Sequence, residues 1–384
     1  MPTPPEIHGR CSDRFAAVRE AFQKNFEQGL EVGASFSAVH DGECVVDLWA
    51  GDRDANGAPW EEDTIVNVYS TTKTMAALST LMLVDRGELD LDAPVASIWP
   101  EFGAAGKQAV RVRHLLSHTS GVSGWEQPIS LEDLYDWDYS TGLLAAQEPW
   151  WEPGTRSGYH SLTHGHLLGE VVRRTCGRSL GTFFREEVAN PLDADFHIGL
   201  PEEHEARVGD LIAPPGEELA EPAAEPGSVA AKSLDNPPMR GDGSNCRAWR
   251  AAEIPAANGT GNARAVARIA GVLAAGGSAH GVHLLGEETL AKTIEEQSNG
   301  TDLVLGVPIR FGLGFGLTSE EFPIGPNPRT FFWGGWGGSL VVIDLDAKLG
   351  FAYVMNKMGS TTLGDQRAFG PALATFQAAL SGAA

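Results

Sequence analysis

The chain has 384 residues, 42% of them hydrophobic, and a formal net charge of -23. That is enough apolar material for a packed core in one large domain or two joined ones. The charge has the wrong sign for a nucleic-acid partner, whose phosphates need clustered lysine and arginine, and it disfavours anionic substrates without a local basic site.

In chain order, Phe15, Val18, Phe22 and Phe26 recur at helical spacing and predict an amphipathic helix over 12–28. Gly33 to Val39, an Asp41-Gly42 turn and Cys44 to Trp49 read as a hairpin. Thr64 to Tyr69 is a strand-like run. After it, Met75, Ala76, Leu78, Ser79, Met82 and Leu83 predict a mostly apolar, buried helix. The middle of the chain is richer in helices and loops. Within it, Pro214 to Ser244 is dense in Pro, Gly, Ala and Glu without periodicity, and reads as a long loop, either a surface insertion or a wall over a substrate cleft. At the far end Phe331 to Trp333, Ser339 to Asp344 and Gly350 to Asn356 read as antiparallel strands, with a closing helix from about Gly364 to Leu380.

Strands at both ends with helices between them predict an α+β sandwich: an antiparallel β-sheet flanked by N- and C-terminal helices, with a mostly helical region inserted. The expected division is 1–95 with 250–384 as a discontinuous α/β domain, and 96–249 as the inserted helical domain carrying the 214–244 loop. Cys11, Cys44, Cys176 and Cys246 show no C-x-x-C spacing, so free thiols are expected. The opening residues lack a basic start and apolar run, and no stretch reaches membrane-span length, so a cytoplasmic protein with no membrane partner is expected.

Ser70-Thr71-Thr72-Lys73 carries the strongest chemical signal. At i and i+3 on a helix the two side chains share a face, so the amine can reach the hydroxyl. A serine hydroxyl is a poor nucleophile, and a lysine at its ordinary pKa of about 10.4 cannot accept a proton. Burial or a neighbouring cation must lower that pKa, or another group must relay the proton. An N-cap serine followed by surface polar residues is the alternative reading of the tetrapeptide. Its place ahead of an apolar helix favours the chemical one.

Further along, Pro153 to Ser161 is a turn-rich approach to Tyr159, which is a candidate general base if cations lower its pKa, or else a core or rim residue. Trp333-Gly334-Gly335-Trp336-Gly337-Gly338-Ser339 places glycines inside a strand-like run, the mark of a bulge or of close approach by a ligand or backbone. His114 with His118 and His160 with His164 have i, i+4 spacing, but no H-E-x-x-H occurs and no metal is expected. There is also no G-x-S-x-G nucleophile elbow.

Taken in order, these segments resemble the serine β-lactamase and penicillin-binding-protein superfamily, in the class C β-lactamase-like branch that includes family VIII carboxylesterases. Ser70 to Lys73 matches S-x-x-K, Tyr159-His160-Ser161 stands at the Y-x-N or Y-x-S position, and Trp333-Gly334-Gly335 stands where β-lactamases have K-T-G. Val112 to Gly121, Pro191-Leu192 and Gly312 to Leu317 support the likeness, which runs from about residue 15 to the C-terminus.

The resemblance implies a β-lactamase/transpeptidase-like fold and an acyl-enzyme on Ser70. Lys73 and Tyr159 would be the general base and acid pair, with Lys73 holding Tyr159 toward the phenolate. The amides of Ser70 and Trp336 would form the oxyanion hole, and no cofactor is implied. Two departures bear on substrate. Trp333 replaces a lysine that binds the antibiotic carboxylate, and Ser161 replaces the asparagine of Y-x-N. Both favour a carboxylesterase acting on short-chain esters, with weak β-lactam side activity. Trp333, Gly334, Gly335 and Ser161 are the expected substrate-binding residues, and Trp125 and Trp151, among ten tryptophans, are candidates for aromatic walls or for core packing. The competing readings are a β-lactamase or D,D-peptidase, an acyl transferase or amidase on the same scaffold, and a catalytically silent binding protein. Oligomeric state is not legible.

Overall fold

Both ends of the chain build one sheet. A computed structural model describes residues 4–214, 224–225, 227–361 and 363–381. Strands β1 (His8–Cys11), β2 (Gly33–His40) and β3 (Glu43–Gly51) join β4 (Ser298–Thr301), β5 (Pro308–Phe311), β6 (Gly316–Leu317), β7 (Thr330–Gly334), β8 (Leu340–Asp344) and β9 (Leu349–Met355). Their order is β1-β3-β2-β9-β8-β7-β6-β5-β4, with neighbours antiparallel. The β2–β3 hairpin closes as its sequence predicts: Asp41 and Gly42 have φ of 49° and 83°, the paired left-handed residues of a tight hairpin turn.

Five helices matter for the site: α1 (Ala16–Glu27), α2 (Thr72–Asp85), α3 (Thr163–Cys176), α4 (Ala263–Ala274) and α5 (Gln366–Leu380). Successive residues of β9 show how the layers stack, because side chains alternate between faces. A Cβ on Gly350 would sit 2.5–2.6 Å from the backbone of Ala270 and Gly271 in α4. Phe351, on the opposite face, packs edge-on against Phe376 of α5. The sheet therefore lies between α4 and the terminal helices α1 and α5, which pack on each other. Arg14 ties the latter together by donating to the Ala378 and Ala379 carbonyls at 2.7 and 2.6 Å, which satisfies acceptors that a helix C-terminus leaves open.

Helix α2 is buried on every side from Thr72 to Leu83. An amphipathic stripe is unnecessary in such a position, and apart from Lys73 the buried stretch is apolar or hydroxyl-bearing all round. Ser79 and Thr80 satisfy themselves on the Met75 and Ala76 carbonyls, at 2.8 and 2.9 Å. Met75 and Leu78 share a seam with Ile269 and Leu273 of α4 and with Val341 and Ile343 of β8. Burying each such side chain stabilises the fold by about 1.5–3 kcal/mol.

Two sequence expectations change in detail. Of the run Thr64 to Tyr69, only Val66–Asn67 is strand, paired in a small separate sheet with Thr260–Gly261, which also pairs with Phe196–His197. The chain then turns at once into a short 3-10 segment, Tyr69–Thr71. The 214–244 segment is not loop throughout its described part. It holds the helix Val229–Leu234, capped by Ser228, and a 3-10 turn at Gly241–Asn245; residues 215–223 and 226 lie outside the described residues. Propensity concealed the helix because its six residues are too few for a periodic pattern. The four cysteines are free. No helix among the described residues is long and apolar enough to cross a membrane.

Candidate active site

The geometry around Ser70 starts with a backbone constraint. Tyr69 has φ 43°, a left-handed conformation that costs a non-glycine residue about 1–3 kcal/mol. Its surroundings hold it there. The phenol donates to the Gly241 carbonyl at 2.7 Å, and the ring packs on Trp336 and Trp249, with centroids 5.1 and 6.2 Å apart. This turn leaves Ser70 half-buried at the entry to α2. Ser339 Oγ donates to the Val68 carbonyl at 2.8 Å, so Thr71 is the donor in its own 2.8 Å bond to Ser339. The start of β8 is thereby fixed to the residues on both sides of Tyr69-Ser70.

Lys73 is 1% exposed and lies one turn into the helix. Its Nζ is 3.0 Å from Ser70 Oγ, 2.7 Å from the Ser161 carbonyl oxygen and 2.9 Å from that of Ala256. A neutral amine has two N–H donors and one lone pair. The two carbonyls take the two donors, which leaves the lone pair for the Ser70 hydroxyl proton. Burial, with no carboxylate partner, pushes the lysine well below its ordinary pKa and so favours this neutral form.

Tyr159 precedes α3 and is held by its backbone, whose N–H donates to the buried carboxylate of Asp302 at 2.9 Å. Lys73 Nζ lies 4.7 Å from the centre of its ring, and Trp333 Nε1–H reaches its hydroxyl at 3.4 Å. Burial raises the phenol well above its usual pKa, opposed only in part by contacts with Ser70 and Trp333. Burial thus disfavours both charged forms, the ammonium and the phenolate, a direction opposite to the phenolate that the resemblance implies.

The glycines after β7 bring two backbones together. A Cβ on Gly335 would sit 2.2 Å from the Val68 carbonyl oxygen, 2.4 Å from Ser339 Oγ and 3.2 Å from Ser70 N. Only glycine lets the strand approach the serine turn this closely. The Trp336 amide makes no hydrogen bond among the described residues. Gly334 abuts Gly364, whose N would lie 2.6 Å from an added Cβ.

Ser70, Lys73, Tyr159, Ser161, Trp333, Gly335 and Trp336 thus converge. Trp333 is 1% exposed, and its ring supports Tyr159 and Phe311 at centroid distances of 5.3 and 5.4 Å. Ser161 contributes its carbonyl through Lys73. Trp151 packs on the two residues flanking Tyr159: a Cβ on Gly158 would lie 2.5 Å from its ring, which meets His160 edge-on. Trp125 does not join them. It is 1% exposed, donates to the Ser140 carbonyl and packs against His166, which makes it core and corrects its reading as a wall of the cleft. Sequence reasoning missed Asp302 and the Ala256 carbonyl, since a lone acid and a backbone oxygen leave no pattern. Ser339 stood inside the glycine-rich run without a recognisable partner.

Behind the lysine and tyrosine lie three buried histidines. His118, at φ 60°, stacks on His164 at 4.4 Å between centroids and packs on Tyr159 at 5.1 Å. Its Nδ1 accepts from the His160 backbone N–H at 3.1 Å, which assigns the ring proton to Nε2. His160 in turn bonds the Gly158 carbonyl and Ser120 Oγ, each at 2.6 Å. His118, His160 and His164 are thus held by ring packing and by hydrogen bonds to backbone and hydroxyl groups.

The Beta-lactamase family model matches residues 22–375. The chain is similar to the esterase/beta-lactamase LipL of Mycobacterium tuberculosis, with 35% identity over 376 residues that cover 92% of this chain and 83% of the relative. Among solved structures it is similar to a family VIII carboxylesterase, with a TM-score of 0.91 and 43% identity over 97% of this chain and 100% of that one. It is also similar to a penicillin-binding protein homologue from Caulobacter crescentus, with a TM-score of 0.91 and 41% identity over the same shares.

Proposed function

This chain belongs to the beta-lactamase family, and on that premise we propose that it is a serine carboxylesterase cleaving short-chain esters through an acyl-enzyme on Ser70. The observation that carries the reading is the arrangement at Lys73, where two carbonyls occupy both N–H donors of a neutral amine and leave its lone pair to Ser70 Oγ.

In acylation, neutral Lys73 takes the Ser70 proton as Oγ bonds to the ester carbonyl carbon. The carbonyl oxygen becomes negative and accepts from the amides of Ser70 and Trp336. Each preset donor of this kind is worth about 3–4 kcal/mol in the transition state. As the bond to the alcohol breaks, the neutral phenol of Tyr159 protonates the departing oxygen. The Lys73 ammonium then restores the phenol, so the serine proton ends on the alcohol. Water entering where the alcohol left is deprotonated by the same pair, and its attack releases the acid and regenerates Ser70.

An ester, rather than a β-lactam, is supported by the neutral indole of Trp333 where a carboxylate-binding lysine would stand, and by relatives whose names include esterases. Trp333, Gly334, Gly335, Ser161 and Trp151 belong to the substrate side of this reading. Wild type is expected to turn over p-nitrophenyl acetate and butyrate with higher kcat/KM than nitrocefin, and Ser70→Ala to lose both activities. Nitrocefin turnover above ester turnover would assign the site to β-lactam hydrolysis instead.

A further inference from the structure

The Gly335 to Ser339 turn is held from behind by a charge. Arg367, on α5 and 5% exposed, donates from Nη2 to the Gly337 carbonyl at 2.9 Å, and the Gly359 amide donates to the same oxygen at 2.7 Å. The guanidinium is itself clamped. It meets Asp365 through Nε and Nη2 at 2.9 and 2.6 Å, Glu31 through Nη1 at 3.0 Å, and the Lys357 carbonyl at 2.7 Å. Glu31 also accepts from the Tyr353 hydroxyl of β9, so helix, sheet and turn share one polar cluster.

Peptide planarity carries this clamp to the serine. A trans peptide fixes its N–H opposite its C=O, so holding one holds the other. Fixing the Gly337 carbonyl orients the Gly338 N–H, which donates to the Gly335 carbonyl at 3.0 Å. Fixing the Gly335 carbonyl in turn orients the Trp336 N–H. Gly337 and Gly338 have φ of 89° and 130°, conformations that L side chains rarely adopt, and this lets the two planes meet at the required angle.

We propose that Arg367 is a positioning residue for ester hydrolysis: through two rigid peptide planes it aims the Trp336 amide at the oxyanion formed on Ser70. This deepens the reading above and rests on it, since it requires that amide to be an oxyanion donor. Arg367 never touches substrate, and its effect falls on the transition state alone.

The test compares kcat/KM for p-nitrophenyl butyrate and its thionoester, whose larger sulfur is a weaker acceptor from an oxyanion hole. Wild type is expected to prefer the oxygen ester. Arg367→Lys is expected to lower kcat roughly 10–100-fold with KM little changed, and to shrink the oxygen-to-sulfur preference in proportion. Gly338→Ala is expected to do the same with the guanidinium left in place, because its Cβ would lie 3.0 Å from Arg367 Nη2 and 3.1 Å from Asp365. It serves where Arg367→Lys does not fold. A preference retained in full by the folded variants, whether or not kcat and thermal stability fall, would overturn the role of Arg367. Absence of the preference in wild type would overturn the oxyanion reading of Trp336, and the proposal with it.

Discussion

Lys73→Met is expected to lower kcat/KM for p-nitrophenyl butyrate by about 10³–10⁴-fold, the largest loss usually seen on removal of a general base. Methionine fills similar volume without a lone pair of comparable basicity, so the nucleophile keeps its place and loses its activator. The variant leaves the Ser161 and Ala256 carbonyls without a donor, at about 1–3 kcal/mol each. It also relieves the burial of an amine, so a folded protein is expected, checked by circular dichroism. The sign with pH follows from the same burial. Protonating Lys73 removes the base, so wild-type kcat/KM falls as pH drops through the amine's lowered pKa. The residual rate of the variant should lack that limb. A wild-type limb that survives in Lys73→Met would assign it to another group.

Stability is expected to collapse on mild acidification. His118, His160, His164 and His166 are all buried and held neutral. Burial lowers the pKa of His160 to about 3 and of His166 to about 4, and it lowers His118 and His164 well below the ordinary value. Hydrogen bonding agrees: Nδ1 of His164 has no partner, so a proton there would be a buried donor with nothing to receive it. Above pH ~6.5 both folded and unfolded histidines are neutral and the effect is absent. Below it, only the unfolded chain takes up protons, so stability falls with pH until the folded pKa values are reached. Each histidine contributes about 1.4 kcal/mol per pH unit, or roughly 5 kcal/mol for four, against a total stability of about 5–15 kcal/mol. Urea unfolding at pH 7, 6 and 5 should show this slope. A flat response between pH 6.5 and 5 would mean that the imidazoles are charged or solvated in the folded state.

The parts legible in the sequence are those with a period or a fixed turn. The β2–β3 hairpin was written in its Asp41-Gly42 turn, and α1 in its phenylalanine spacing. The last three strands, β7 to β9, were written in their β-branched and aromatic runs, and the pairing of both ends into one antiparallel sheet followed from where they fall, whereas β1 and β4 to β6, at two to four residues each, are too short to show a pattern. Ser70, Lys73 and Tyr159 were legible because side-chain chemistry needs particular residue types at particular intervals. What bears on Lys73 from elsewhere was not. The carbonyls of Ser161 and Ala256 come from distant segments and any residue could supply them. The opposing effect of burial on the phenolate was not legible either, because burial of Tyr159 is a property of the assembled core and not of its neighbours in the chain. Trp125 shows the converse limit: a tryptophan before a helix suits a cleft wall and a core equally, and the Ser140 carbonyl that fixes it inside is invisible until the chain folds.

The central claim is that Ser70 is acylated because neutral Lys73 accepts its proton. Labelling with a fluorophosphonate, followed over time by intact mass and then by peptide mapping, tests it most directly. One adduct on the peptide containing Ser70, forming rapidly in wild type, slowly in Lys73→Met and not at all in Ser70→Ala, is the predicted result. An adduct on another residue, or equal labelling rates in wild type and Lys73→Met, would contradict it.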